Sequence, residues 1–112
     1  MLNVNPTVTN YTETVATSSA GSLTINLANG TIFRHTLTAS GTITLPASVA
    51  GKSFVLIVIY NGAFTITWAG GSTLKWSQGI APAQTSATGK IDVFSFFQDG
   101  TNTYGCLMGY NY

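Results

Sequence analysis

Charged side chains are scarce in this sequence: four Lys or Arg and three Asp or Glu in 112 residues, 6% of the chain, for a net charge of +1, where soluble domains carry about a quarter. Arg34, Lys52, Lys75 and Lys90 cannot form a stripe that neutralises several phosphates, so nucleic acid is not an expected partner. One cysteine, Cys106, cannot close a disulfide within the chain. One histidine, His35, cannot anchor a metal unless symmetry-related copies bring three imidazoles together on an axis. The longest apolar run, Phe54 to Tyr60, has seven residues, far short of the ~20 of a membrane-spanning helix, so no membrane insertion is expected. The first residues, Met1 to Thr7, have neither a cationic start nor a long apolar stretch, and no Sec-type signal is expected. Nor is there any stretch of Ala, Leu, Glu and Lys with a 3.6-residue apolar period, which excludes an extensive helical fold.

What is abundant points one way. Thr, Ser, Asn and Gly fill 48 of the 112 positions, and short β-branched or aromatic runs end repeatedly in turn dipeptides, the signature of an all-β chain. Asn29-Gly30, Asn61-Gly62 and Asp99-Gly100 each separate two such runs. Each pair tolerates the positive φ of a type I′ turn, so three hairpins are expected. Ser40-Gly41 leads into Thr42 to Leu45, which Pro46 ends because it has no N–H to donate. About eight strands result, in an antiparallel β-sandwich or jelly-roll-like domain. Phe64, Ile66 and Trp68 share one strand face opposite Thr65 and Thr67, and Leu23, Ile25 and Leu27 behave likewise, as in half-exposed strands. Phe54 to Tyr60 does not alternate. It must be covered on both faces, with Phe54, Leu56, Val58 and Tyr60 in a core or against another subunit. Gly70 to Thr88 reads as a long loop with one short strand near Thr73 to Trp76, and the polar residues 1–21 read as an extended anchoring arm ahead of a single domain at 22–112.

The chemistry that composition permits is thin. A Ser-His-Asp set could draw on His35, Asp92 or Asp99, but no nucleophile-elbow motif is present. Asp99 is explained by its turn, and a glycosidase pair needs two acids ~5–9.5 Å apart across a cleft. Gly51-Lys52-Ser53 lacks the earlier glycine of a phosphate loop; position 46 is Pro. Cys106, among Tyr104, Leu107 and Met108, reads as a small hydrophobe. Neither catalysis nor a cofactor is expected. The aromatics nearest strand ends and loops, Trp68, Trp76, Tyr104, Tyr110 and Tyr112, are the remaining candidates, either as platforms for sugar C–H edges or as core and interface packing, and packing is the commoner use. Few charges, only three lysines to blunt sheet edges and an apolar strand prone to stacking together imply a permanent partner, with a trimer as the expected state.

From Ile43 to Tyr112 a longer order of features appears: Thr44-Leu45-Pro46, Gly51-Lys52-Ser53-Phe54, Thr67-Trp68, Lys75-Trp76, Gly79, Ala81-Pro82, Gly89-Lys90-Ile91-Asp92-Val93-Phe94-Ser95-Phe96, Asp99-Gly100 and Tyr104-Gly105. This order resembles a β-rich module of tailed-bacteriophage structural proteins, often found at the carboxyl end of tail-fibre or other appendage chains. Ala69 and Ser77 depart from it where prolines are frequent. The resemblance implies a β-sandwich or jelly-roll-like subunit, commonly trimeric, on a virion surface and without enzymatic activity. It implies assembly in the bacterial cytoplasm, with the major capsid protein or an appendage protein as partner. A capsid decoration or head-fibre subunit anchored by residues 1–21 is the expected role; the alternative is a receptor-binding tip recognising host surface glycans.

Overall fold

In the computed structural model, which describes residue 7, residues 9–70 and residues 73–112, the chain is all-β and builds two facing sheets. Among the described residues the strands are β1 (Val15–Ala20), β2 (Leu23–Thr24), β3 (Ile32–Leu37), β4 (Gly41–Thr44), β5 (Ser53–Tyr60), β6 (Ile66–Ala69), β7 (Leu74–Trp76), β8 (Ile91–Gln98) and β9 (Thr103–Gly109). One sheet has six strands in the order β1-β3-β5-β8-β9-β7; the other has three in the order β2-β4-β6.

The first six strands alternate between the sheets, so each pair β1–β2, β3–β4 and β5–β6 forms one coil of a short parallel solenoid. Val15 stacks on Ile32 and Ile32 on Val55 in one sheet, while Leu23 stacks on Ile43 and Ile43 on Trp68 in the other. β8 and β9 then extend the large sheet as an antiparallel hairpin beside β5, and β7 adds to β9 in parallel. Two-residue β-hairpins cannot join parallel neighbours. The all-β two-sheet arrangement thus matches expectation, whereas the antiparallel connectivity holds only for β5–β8 and β8–β9.

Two of the three expected hairpins are therefore corners between sheets. Gly30 and Gly62 sit at φ 155° and 159°, not the αL values a type I′ turn needs. After Asn29-Gly30 the chain crosses back to the large sheet, where the Thr14 carbonyl accepts from Thr31 N (3.2 Å) and Ile32 N (3.3 Å). The run Leu23 to Leu27 accordingly stops being a strand at Thr24, because the Asn26 side chain takes the Ala28 N–H and Asn29 N donates to the Asn26 carbonyl, turning the chain. Only Asp99-Gly100 closes a hairpin, through a four-residue loop in which Asp99 Oδ1 accepts from Thr101 N (2.8 Å) and Asn102 N (2.7 Å).

A second correction concerns the arm. Residues 15–20 are part of the domain, as edge strand β1 of the large sheet; residue 7 and residues 9–14 are exposed and without strand structure, and residues 1–6 and 8 lie outside the described residues. The loop after β6 matches expectation, with its short strand at Leu74–Trp76 and a 3-10 turn at Ser77–Gly79.

The core fills the space between the sheets. From the large sheet come Phe33, Leu37, Phe54, Leu56, Val58, Tyr60, Phe94 and Phe96; from the solenoid's other wall come Ile25, Ile43, Leu45 and Ile66. Alternation does the sorting: every second residue of β3, β5 and β8 is buried, which is the two-residue period of a strand read against one packed face. The corners of the first two coils approach so closely that a Cβ on Gly41 would overlap the Gly21 carbonyl.

Candidate functional site

The side chains with chemical potential are used to hold the fold together. His35 is fully buried on β3; its Nδ1 is 2.7 Å from Ser18 Oγ on β1, and its Nε2 has no hydrogen-bond partner among the described residues. Burial holds its pKa below the ordinary imidazole value, opposed by the Ala20 backbone. Strands β3 and β8 flank β5, so Val58 stands between His35 and Asp92 in the ladder.

Asp92, also fully buried, is a hub. Its Oδ2 accepts from Tyr60 Oη (2.8 Å) and Thr85 N (2.8 Å), and its Oδ1 accepts from Thr85 Oγ1 and from Asn111 N (3.0 Å). Burial alone would raise the carboxyl pKa, but these donors to its charged form outweigh that and hold it below the ordinary carboxylate value. Tyr60 is pushed the other way, by burial first and then by its bond to Asp92, so it stays a phenol. One carboxylate thus joins the central strand, the 80–90 loop and the chain's last residues.

Other polar groups do similar work. Gln98, buried, donates to the Pro46 carbonyl and to Thr103 Oγ1 and accepts from Val49 N, fastening the loop after β4 to the hairpin. Gln84 presents its amide to β6 like a neighbouring strand, accepting from Ile66 N (2.6 Å) and donating to the Ile66 carbonyl (2.8 Å). Asp99, exposed in the hairpin loop, has its pKa lowered by the N–H groups of Asn102 and Thr101 and by Tyr104 Oη, 2.9 Å away. Among the described residues, no three His, Cys, Asp or Glu side chains come together as metal ligands.

The candidate aromatics divide into two groups. Trp68 and Trp76 are half-buried against the core, with ring centroids 5.3 Å apart, and Trp68 lies 4.9 Å from Phe94 in an edge-on contact. Trp76 also covers Gly105, its partner across the β7–β9 ladder, where any side chain would collide with the indole. Tyr104, Tyr110 and Tyr112 are exposed. Tyr110 borders a shallow groove of about 470 Å³ with Gln84, Thr85, Leu107 and Asn111.

The residues Phe54, Leu56, Val58 and Tyr60, expected in core or interface, all face inward. Their neighbours Val55, Ile57 and Ile59 face outward. Val55 pairs with Ile32 on β3, and Ile57 and Ile59 pair with Val93 and Ile91 on β8, so the outer surface of the large sheet is apolar along β5 and the adjoining part of β8, with Arg34 and Thr36 of β3 beside Ile57 and Ile59. These apolar side chains are only half-buried, and Phe97 and Met108 farther along the same surface are 54% and 60% exposed. Arg34 stands beside Ile57 and Lys75 lies on the far edge strand, while β5 and β8 bring no charge to this face.

No protein-family model, curated protein or solved structure matches the chain. Two features of the site escaped the sequence reading. The solenoid was signalled by the near-repeat of Gly21-Ser22-Leu23-Thr24-Ile25 as Gly41-Thr42-Ile43-Thr44-Leu45, a period that marks stacked coils. The Asp92 hub has no comparable signal, because its partners come from positions 60, 85 and 111, which only the fold brings together.

Proposed function

We propose that this chain is a non-enzymatic structural subunit of a bacteriophage virion, of capsid-decoration or head-fibre type, which self-associates as a trimer and attaches to the particle through its amino-terminal segment. The observation that carries the mechanical reading is the apolar outer surface of the large sheet. In a lone chain its central residues are only half-buried and Phe97 and Met108 beside them are exposed, and a contiguous apolar surface left open to water on a small domain marks an interaction site. The use of His35, Asp92, Gln84 and Gln98 as internal fasteners supports the same reading, since these groups serve cohesion. The virion setting rests on the order of motifs from Ile43 to Tyr112 that resembles phage appendage modules.

On this reading subunits bury strand faces against one another and the particle gains cohesion without chemistry. The test is removal of residues 1–14, which stops before β1. The shortened chain should keep its oligomeric mass and lose attachment to particles made without the protein; undiminished attachment refutes the anchoring role. A second reading, recognition of host surface glycans, is favoured only by the groove beside exposed Tyr110. It predicts that purified protein blocks adsorption of the phage to host cells.

A further inference from the structure

We infer that copies of this chain meet through the outer face of the six-stranded sheet, centred on Val55, Ile57, Ile59, Ile91 and Val93. The inference rests on the self-associating role proposed above and names the surface that role requires.

Size is the first reason. Six strands ~4.8 Å apart and about six residues long at ~3.3 Å each present on the order of 500 Å² per copy. Three such faces turned toward a common three-fold axis bury on the order of 1,500 Å² in all, against the ~1,000 Å² that separates specific interfaces from casual contacts. Charge is the second. β5 and β8 are the middle of the sheet, and on this face they carry Ser53, Val55, Ile57, Ile59, Ile91, Val93, Ser95 and Phe97, with no ionised group. Arg34 on β3 is the ladder neighbour of Ile57 and Lys75 stands on the far edge strand; from either place a long side chain can carry its head group toward water while its stem covers apolar surface. A partner with an ordinary charged surface would have to desolvate its own ions here without compensation. Another copy of the same face brings none on its own β5 and β8 strands.

The opposite face of the sheet has no room for a partner, because the three-stranded sheet and the core occupy it. Association therefore leaves the fold of each subunit intact. It also explains why β5 reads as a strand covered on both sides: one cover is intramolecular, and the other is supplied by the neighbouring copies.

Cys106 supplies an internal reporter. It lies on β9 opposite Ser95, which pairs with Val55 on β5, and it is exposed in the single chain. The experiment uses the full chain, with sedimentation equilibrium for mass and iodoacetamide for thiol access. In the assembled protein Cys106 should be alkylated at least about tenfold more slowly than in a dissociated variant. Val55→Glu puts a carboxylate at the centre of the face and should shift the mass to the single-chain 11.7 kDa with the β-type circular dichroism retained. Ser95→Lys, which removes no apolar packing, should do the same and serves if Val55→Glu does not fold. An oligomeric wild type whose mass both folded variants retain, or whose Cys106 reacts as fast as in the variants, overturns this face and leaves self-association standing. A wild type of single-chain mass overturns the self-association reading itself.

Discussion

Replacing Asp92 by Asn changes one atom and removes one charge, yet it cannot preserve the network around it. Each carboxylate oxygen accepts two hydrogen bonds: Oδ2 from Tyr60 Oη and Thr85 N, Oδ1 from Thr85 Oγ1 and Asn111 N. With the new amide nitrogen at the Oδ2 position, the Tyr60 hydroxyl can turn and accept, but Thr85 N–H faces another donor. With the nitrogen at the Oδ1 position, Thr85 Oγ1 can turn, but Asn111 N–H is stranded. Either orientation leaves one backbone N–H unpaired, at ~1–3 kcal/mol, and the bonds that remain lose their charge assistance. We expect Asp92→Asn to destabilise the subunit by about 3 kcal/mol. Tyr60→Phe removes one donor and leaves three on the carboxylate, so it should cost about 1.5–3 kcal/mol, the range for bonds to charged groups. The two substitutions share a bond, so the double variant should cost less than the sum, with a coupling of at least ~0.5 kcal/mol. Urea unfolding followed by circular dichroism, at one subunit concentration for all four proteins because assembly shifts apparent stability, gives these values. An Asp92→Asn cost below ~1 kcal/mol, or strict additivity with Tyr60→Phe, would refute the role of Asp92 as the hub.

Two further outcomes follow from the buried histidine and the crowded corner. His35 has its pKa lowered by burial, so below pH 6.5, the ordinary imidazole value, the unfolded chain takes up a proton that the folded one resists; stability is full above that pH and falls as the solution is acidified. The urea midpoint of the wild type should decline there, whereas His35→Gln should stay level until the lowered Asp92 carboxyl begins to matter below 3.8; a level wild type contradicts the assignment. Gly41→Ala forces a methyl group onto the Gly21 carbonyl between the first two coils and should cost ~1–3 kcal/mol, lowering the melting temperature by at least about 4 °C. An unchanged melting temperature would mean the corner has slack.

The parts of the fold that depend on local composition were legible in the sequence. The Thr- and Val-rich runs announce strands, the alternation in Phe64, Ile66 and Trp68 announces a packed face, and Asp99-Gly100 closes a true hairpin. The connectivity was harder to read because an Asn-Gly pair serves equally at a type I′ hairpin and at a corner between two sheets. At Asn29-Gly30 and Asn61-Gly62 the choice is made by what lies across the gap, where each strand stacks on a coil 17 to 25 positions away. The near-repeat beginning at Gly21 and Gly41 was the available clue. The candidate tryptophans sit near strand ends, as their positions imply, but long-range packing against Phe94 and Phe96 holds them half-buried against the core. The apolar outer face shows in the sequence as the unbroken run from Phe54 to Tyr60. Which half of that run faces the core and which faces outward is set by register, with Phe54 opposite Phe96 and Val55 opposite Ser95.

Sedimentation equilibrium of the unmodified chain addresses the central idea most directly, that this domain completes its burial of apolar strand surface only with copies of itself. The expected mass is three times the 11.7 kDa of one chain, about 35 kDa, as for a closed homotrimer. A single species of 11.7 kDa, soluble and monodisperse at high concentration, would contradict it.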